Sequence, residues 1–139
     1  MGREFMDKGF FQGIDAIVPV PLSPQRLRHR GYNQSLRLAQ GLSEISHIPV
    51  HADLVCRINT PHNQVELSHE ERRENVSKAF CLNPNIKPDR RDCIAGKHIL
   101  LVDDVITTGA TLIAVAKQVA LLQPAEISVL SVATTQKPF

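Results

Sequence analysis

The stretch Ile99-Leu-Leu-Val-Asp-Asp-Val-Ile-Thr-Thr-Gly-Ala-Thr-Leu112 organises the chain. Its first four residues, Ile99 to Val102, are an unbroken apolar run, which suits a strand buried on both faces of a parallel sheet. Asp103 and Asp104 follow where such a strand should end, and a helical pattern runs from about Leu112 to Leu122. Between them lie Thr107, Thr108, Gly109, Ala110 and Thr111. Gly109 removes a Cβ at the turn, so backbone N–H groups can approach a ligand closely. The N–H groups of a helix start, its positive dipole end and three hydroxyls together make an anion cradle. A ligand that fills both parts carries hydroxyls or a metal at one end and phosphate at the other. Ribose 5-phosphate chemistry fits that description.

Two plainer readings compete on the same residues. The acids can simply cap the next helix, and Thr-Thr-Gly can be only a tight turn. A phosphoacceptor domain also places Asp at strand ends, but it requires a late lysine and no Gly/Thr cradle. Lys117 falls inside a helical pattern and Lys137 at the extreme end, so that reading fits poorly.

The residues Ile99–Leu112 resemble the phosphoribosyl-pyrophosphate (PRPP) motif of type I phosphoribosyltransferases: apolar strand, paired acids, then Thr-Thr-Gly-Ala-Thr. Further blocks narrow the resemblance. They are Val18-Pro-Val-Pro-Leu22, Arg26, Arg30-Gly-Tyr-Asn-Gln34, and Thr60 with Gln64, Leu67-Ser, Glu71-Arg72, Asn75 and Ala79-Phe80. These resemble the ComF/GntX group, which is associated with bacterial competence and is similar to amidophosphoribosyltransferases. The match runs from about Ile14 to Ala133.

That resemblance implies an α/β fold, an open and mostly parallel sheet of about five strands in the order 3-2-1-4-5, with flanking helices. It implies one phosphoribosyltransferase-like domain over residues 1–139, with the cysteine-rich zinc-binding segment common in the group absent. The implied reaction is pentosyl transfer from PRPP to a nitrogen nucleophile with release of pyrophosphate. The alternative is a PRPP-sensing or scaffold protein of DNA uptake that does not turn over. Under either, Asp103 and Asp104 meet the ribose hydroxyls and hold Mg²⁺ through water, and Thr107, Thr108, Gly109, Ala110 and Thr111 take the 5′-phosphate. Arg26 and Arg30 bind pyrophosphate, and Gln64 and Arg72 belong to a mobile lid over Thr60–Lys78. Nucleic acid enters only indirectly, through the competence machinery, and a homodimer is the oligomer the family suggests.

Composition agrees with a globular chain: 42% apolar and 22% charged residues in 139. A net charge of +2 is too small to imply nucleic-acid binding by itself. The three cysteines, Cys56, Cys81 and Cys93, include no C-x-x-C pair, which points to reduced cytosolic thiols rather than disulfides or zinc. The histidines show no metal spacing. No apolar run reaches membrane-spanning length and no signal peptide is visible, so a cytoplasmic protein with no membrane partner is expected.

In chain order, Phe5, Met6, Phe10 and Phe11 have the spacing of a short helix, and Ile14–Val20 read as a first strand. Pro24–Tyr32 read as a basic loop holding Arg26, Arg28, His29 and Arg30. Asn33 can cap a helix over about Gln34–Ser46, although it and Gln34 can equally touch ligand. Pro49–Ile58 supply a second strand. Thr60–Lys78 contain a capping box, Ser68-x-x-Glu71, compatible with a surface helix as well as with a lid. Ala79–Leu82 make a short third strand, Asn83–Gly96 an irregular surface connection, and Glu126–Ala133 a final strand.

Overall fold

A computed structural model describes residues 11–22, 24–58, 78–106 and 109–134 of the chain. The expected helix over the first residues, the lid residues Gln64 and Arg72, and Thr107 and Thr108 lie outside that set. The elements in order are β1 (Ala16–Pro19), α1 (Pro24–Arg30), α2 (Gln34–Ser46), β2 (Val55–Arg57), β3 (Phe80–Leu82), α3 (Pro88–Asp92), β4 (His98–Ile106), α4 (Ala110–Ala120) and β5 (Glu126–Thr134).

Strand β4 is the axis of the fold. It pairs in parallel with β1 on one side, Ile99 against Ala16 and Val102 against Pro19, and in parallel with β5 on the other. Its apolar run Ile99–Val102 is fully buried. Alternate residues feed opposite layers, as the two-residue repeat of a strand requires. Ile99 and Leu101 join Leu112, Val115 and Val119 of α4, while Leu100 and Val102 join Ala39 and Leu42 of α2. Helices on both faces explain why this strand is apolar throughout rather than alternating.

The α/β class and the neighbourhood of β1 and β4 are as the sequence implies; the single five-stranded sheet is not what forms among the described residues. The sheet has three strands in the order β1-β4-β5, and β2 and β3 make a separate antiparallel pair. The expected second strand is divided. Val50 makes one parallel bridge to Ile17, flanked by Ile17 N–H to Pro49 O and His51 N–H to Ile17 O, both 2.9 Å. The chain then bends at Asp53–Leu54, and Leu54 enters the layer beneath α4 with Val55 and Phe80. Burial of Leu54 and Val55 thus outweighs continued pairing beside β1.

Two stretches read as irregular are helical. Pro24–Arg30 forms α1: a proline is tolerated in the first turn, Arg28, His29 and Arg30 complement the dipole in the last, and Gly31 at φ 84° ends it. Pro88–Asp92 forms α3 by the same logic, with Asp89 in the first turn and Arg90 and Arg91 in the last. Arg90 ion-pairs with Asp53 and approaches His51 Nδ1 at 3.2 Å, tying α3 to the bend before β2. Helix α2 spans the expected residues. Asn33 is its cap, accepting from the N–H groups of Ser35 and Leu36.

Candidate functional site

The carboxylates do not follow the central strand; they sit within it, because β4 continues to Ile106. Past Val102 the strand has lost β1 as a ladder partner but keeps β5, with Asp103 in register with Ser131. The acids therefore stand where the sheet narrows, beside the chain leaving β1. Open α/β sheets place their ligand crevices outside the carboxyl ends of strands in this way.

Asp103 is buried and Asp104 half-buried. Asp103 Oδ1 accepts two hydrogen bonds, from the Asp104 backbone N–H at 2.9 Å and from Ser35 Oγ at 3.2 Å. Burial is the main cause that pushes the Asp103 carboxyl up to about 6, with the adjacent Asp104 carboxyl adding to it. The Asp104 N–H and the Ser35 hydroxyl pull in the opposite direction, since they favour the ionised form. A carboxyl raised by burial beside a second one makes this pair a candidate functional site.

Helix α4 begins four residues after β4 ends, and Gly109 is its cap at φ 81°, ψ −3°. A Cβ there would meet nothing within 4 Å, so the glycine is required by its left-handed backbone rather than by crowding. Ala110 and Thr111 occupy its first turn, in the place expected of a phosphate cradle; Thr107 and Thr108 lie outside the described residues.

Of the two arginines, Arg26 belongs to α1, but its side chain lies outside the described set. Arg30 is exposed at the end of α1 and donates to Gln34 Oε1 at 3.1 Å, so it is directed along the chain toward α2. Arg28 is exposed. An open cavity of about 440 Å³ adjoins the end of β1, lined by Pro19, Pro21, Leu27, Tyr32, Leu36 and Arg37 among others. Arg37 stacks over the Tyr32 ring at 4.2 Å. Neither acid lines that cavity, so the carboxylates and the cavity are neighbouring features rather than one pocket.

Sequence reading missed Ser35 altogether. Nothing in local spacing distinguishes it from any serine in a helix; its partner is 68 positions away. The resemblance block Arg30–Gln34 ends one residue short of it.

No helix among the described residues is long and apolar enough to cross a membrane, and no group of three or more metal-ligating side chains occurs among them. Residues 34–138 match the phosphoribosyl transferase domain family. Over 117 residues the chain is 42% identical to Competence protein F of Haemophilus influenzae, covering 83% of this chain and 48% of that protein. It is 37% identical to the DNA utilization protein YhgH of Escherichia coli K12, covering 74% and 42% respectively. It is 31% identical to Competence protein ComFC of Bacillus subtilis, covering 79% and 38%. The chain thus spans about half the length, or less, of the curated relatives it matches. Among solved structures, a purine phosphoribosyltransferase from Pyrococcus horikoshii has a TM-score of 0.59 at 20% identity, over 99% of this chain and 75% of that one. Adenine phosphoribosyltransferase from Saccharomyces cerevisiae has a TM-score of 0.58 at 15% identity, over 95% and 62%. With its acids on the central strand of that fold and its relatives among the competence proteins, the chain belongs to the type I phosphoribosyltransferases of the ComF family.

Proposed function

We propose that the chain binds PRPP at the ends of β1 and β4 and transfers its 5-phosphoribosyl group to a nitrogen nucleophile, releasing pyrophosphate. The observation that carries this reading is the succession on one β-α unit. A buried carboxyl, raised mainly by burial, sits beside a second carboxyl, followed by a helix start led by a glycine in the left-handed conformation.

Asp103 and Asp104 accept hydrogen bonds from the ribose 2′- and 3′-hydroxyls. Thr107, Thr108, Gly109, Ala110 and Thr111 surround the 5′-phosphate, where backbone N–H groups and the helix dipole favour an anion. Arg26 and Arg30 neutralise the departing pyrophosphate, and guanidinium geometry suits that task. Gln64 and Arg72 close over the bound ligand. Transfer at the ribose C1 needs no covalent residue, since positioning and charge stabilisation suffice.

The two carboxylates suit Mg²⁺: the ion keeps several waters and needs only one or two protein carboxylates together with substrate phosphates. A cation beside the pair would offset the repulsion between Asp103 and Asp104. When bound, it neutralises phosphate charge and fixes its orientation.

The test is a thermal-shift titration with PRPP, with and without Mg²⁺, on the wild type and on Asp103→Asn/Asp104→Asn. Ligand at about 100 times its Kd should stabilise the fold by roughly 2.7 kcal/mol, and the double variant should lose the effect. No shift from a folded wild type would remove the ligand-site reading. The second reading, PRPP sensing or a scaffold role in DNA uptake, draws on the names of the relatives. Pyrophosphate release on supplying candidate amines and bases separates the two, because a sensor binds PRPP and releases none above the protein-free control.

A further inference from the structure

Ser35 is only 4% exposed, yet it sits in the first turn of an amphipathic helix whose other buried residues are Ala39 and Leu42. A serine inside a helix ordinarily bonds back to its own preceding turn or points to water. This one instead donates its hydroxyl across the fold to Asp103 Oδ1. The same oxygen takes the Asp104 N–H. Two donors on one oxygen fix the rotation of the carboxylate and thereby the direction of the other, Oδ2. The serine is itself held: its N–H donates to Asn33 Oδ1 at 3.0 Å, and Asn33 Nδ2 donates to Val20 O at 3.1 Å, at the exit of β1. One short chain of hydrogen bonds therefore runs from the backbone leaving β1, through the cap of α2, to the first acid of β4.

We propose that Ser35 is a positioning residue, which through the Asn33 cap aims the Asp103 carboxylate at the ribose hydroxyls. The inference rests on the PRPP reading given above. Binding and orientation are its whole content; Ser35 exchanges no proton with ligand and touches none. Removing the hydroxyl takes from Asp103 Oδ1 its one partner on α2 and loosens the orientation of the carboxylate, so affinity falls for ligands that carry the ribose hydroxyls. Affinity for inorganic phosphate, which needs only the start of α4, does not fall.

The experiment measures Kd for PRPP and for inorganic phosphate, both with Mg²⁺, on the full chain and on Ser35→Ala and Ser35→Thr, with Tm recorded for each. A hydrogen bond to a charged group is worth enough for Ser35→Ala to weaken PRPP roughly 10-fold. Phosphate affinity should stay at the wild-type value, and Ser35→Thr, which keeps the hydroxyl, should restore PRPP binding. The proposal is overturned if Ser35→Ala binds PRPP as the wild type does, if PRPP and phosphate weaken in proportion, or if Ser35→Thr fails to recover binding. A wild type that binds phosphate but not PRPP would overturn the PRPP reading itself, and the positioning role with it; a wild type that binds PRPP beside a Ser35→Ala that binds it equally well would overturn the positioning role alone.

Discussion

Asp103 makes the stability of this fold depend on pH. Its carboxyl is held at about 6, above an ordinary value of 3.8, mainly because burial disfavours the charge. Below the ordinary value both folded and unfolded chains are protonated there, and the group costs nothing. As pH rises from about 4 to about 6 the unfolded chain loses the proton first, and stability is lost across that window. His51 works in the opposite sense. Burial, then Arg90, lower it below 6.5, so its contribution rises with pH toward 6.5. Asp103→Asn keeps the shape and an acceptor but removes the titration, and His51 is common to both proteins. The Tm of Asp103→Asn minus that of the wild type, without ligand, should therefore be positive and grow between pH 4 and pH 7. A difference that stays flat would show that the carboxyl is not raised. A gain in stability in Asp103→Asn together with loss of PRPP binding would match the trade usual at ligand sites.

At the scale of the element, the start of α4 depends on one backbone conformation. Gly109 has φ 81° with open space where a Cβ would go, so alanine there is strained by its backbone and not by a clash. Gly109→Ala should cost roughly 1–2 kcal/mol in urea unfolding, and Gly109→Asn less, since Asn tolerates the left-handed region. Equal costs for the two would mean that space, not conformation, selects glycine. The same positional logic explains the helices that sequence reading passed over. Both α1 and α3 begin with proline, place arginines in the last turn and span only 7 and 5 residues. Elements so short carry no apolar periodicity, and their prolines and charges read equally well as loop.

Across the whole molecule, β4 holds the two layers together. Leu101 is fully buried between β1 and α4, whereas Ile113, on the outer side of α4, is 57% exposed. Leu101→Ala should cost roughly 2–5 kcal/mol through lost burial and a residual cavity. Ile113→Ala should stay within about 0.5 kcal/mol. Urea midpoints with unchanged slope are the measurement; comparable losses at both positions would mean that α4 is covered on both sides.

Strand β4, helices α2 and α4, the Asn33 cap and the acid pair were legible because each rests on local order: an apolar run, a 3.6-residue repeat, a capping side chain, a glycine at a turn. These depend on neighbours within a few positions, and the chain states them directly. Three things were settled by the tertiary fold alone. The acids lie inside β4 because β5 continues to pair past Val102, where β1 has stopped. β2 leaves the parallel sheet for β3, Cys56 facing Cys81, because Leu54 and Val55 gain burial under α4. Ser35 meets Asp103 because helix packing closes a separation of 68 residues. Pairing partners, burial and long-range hydrogen bonds belong to surfaces brought together in space, and no window along the chain contains both sides of such a contact.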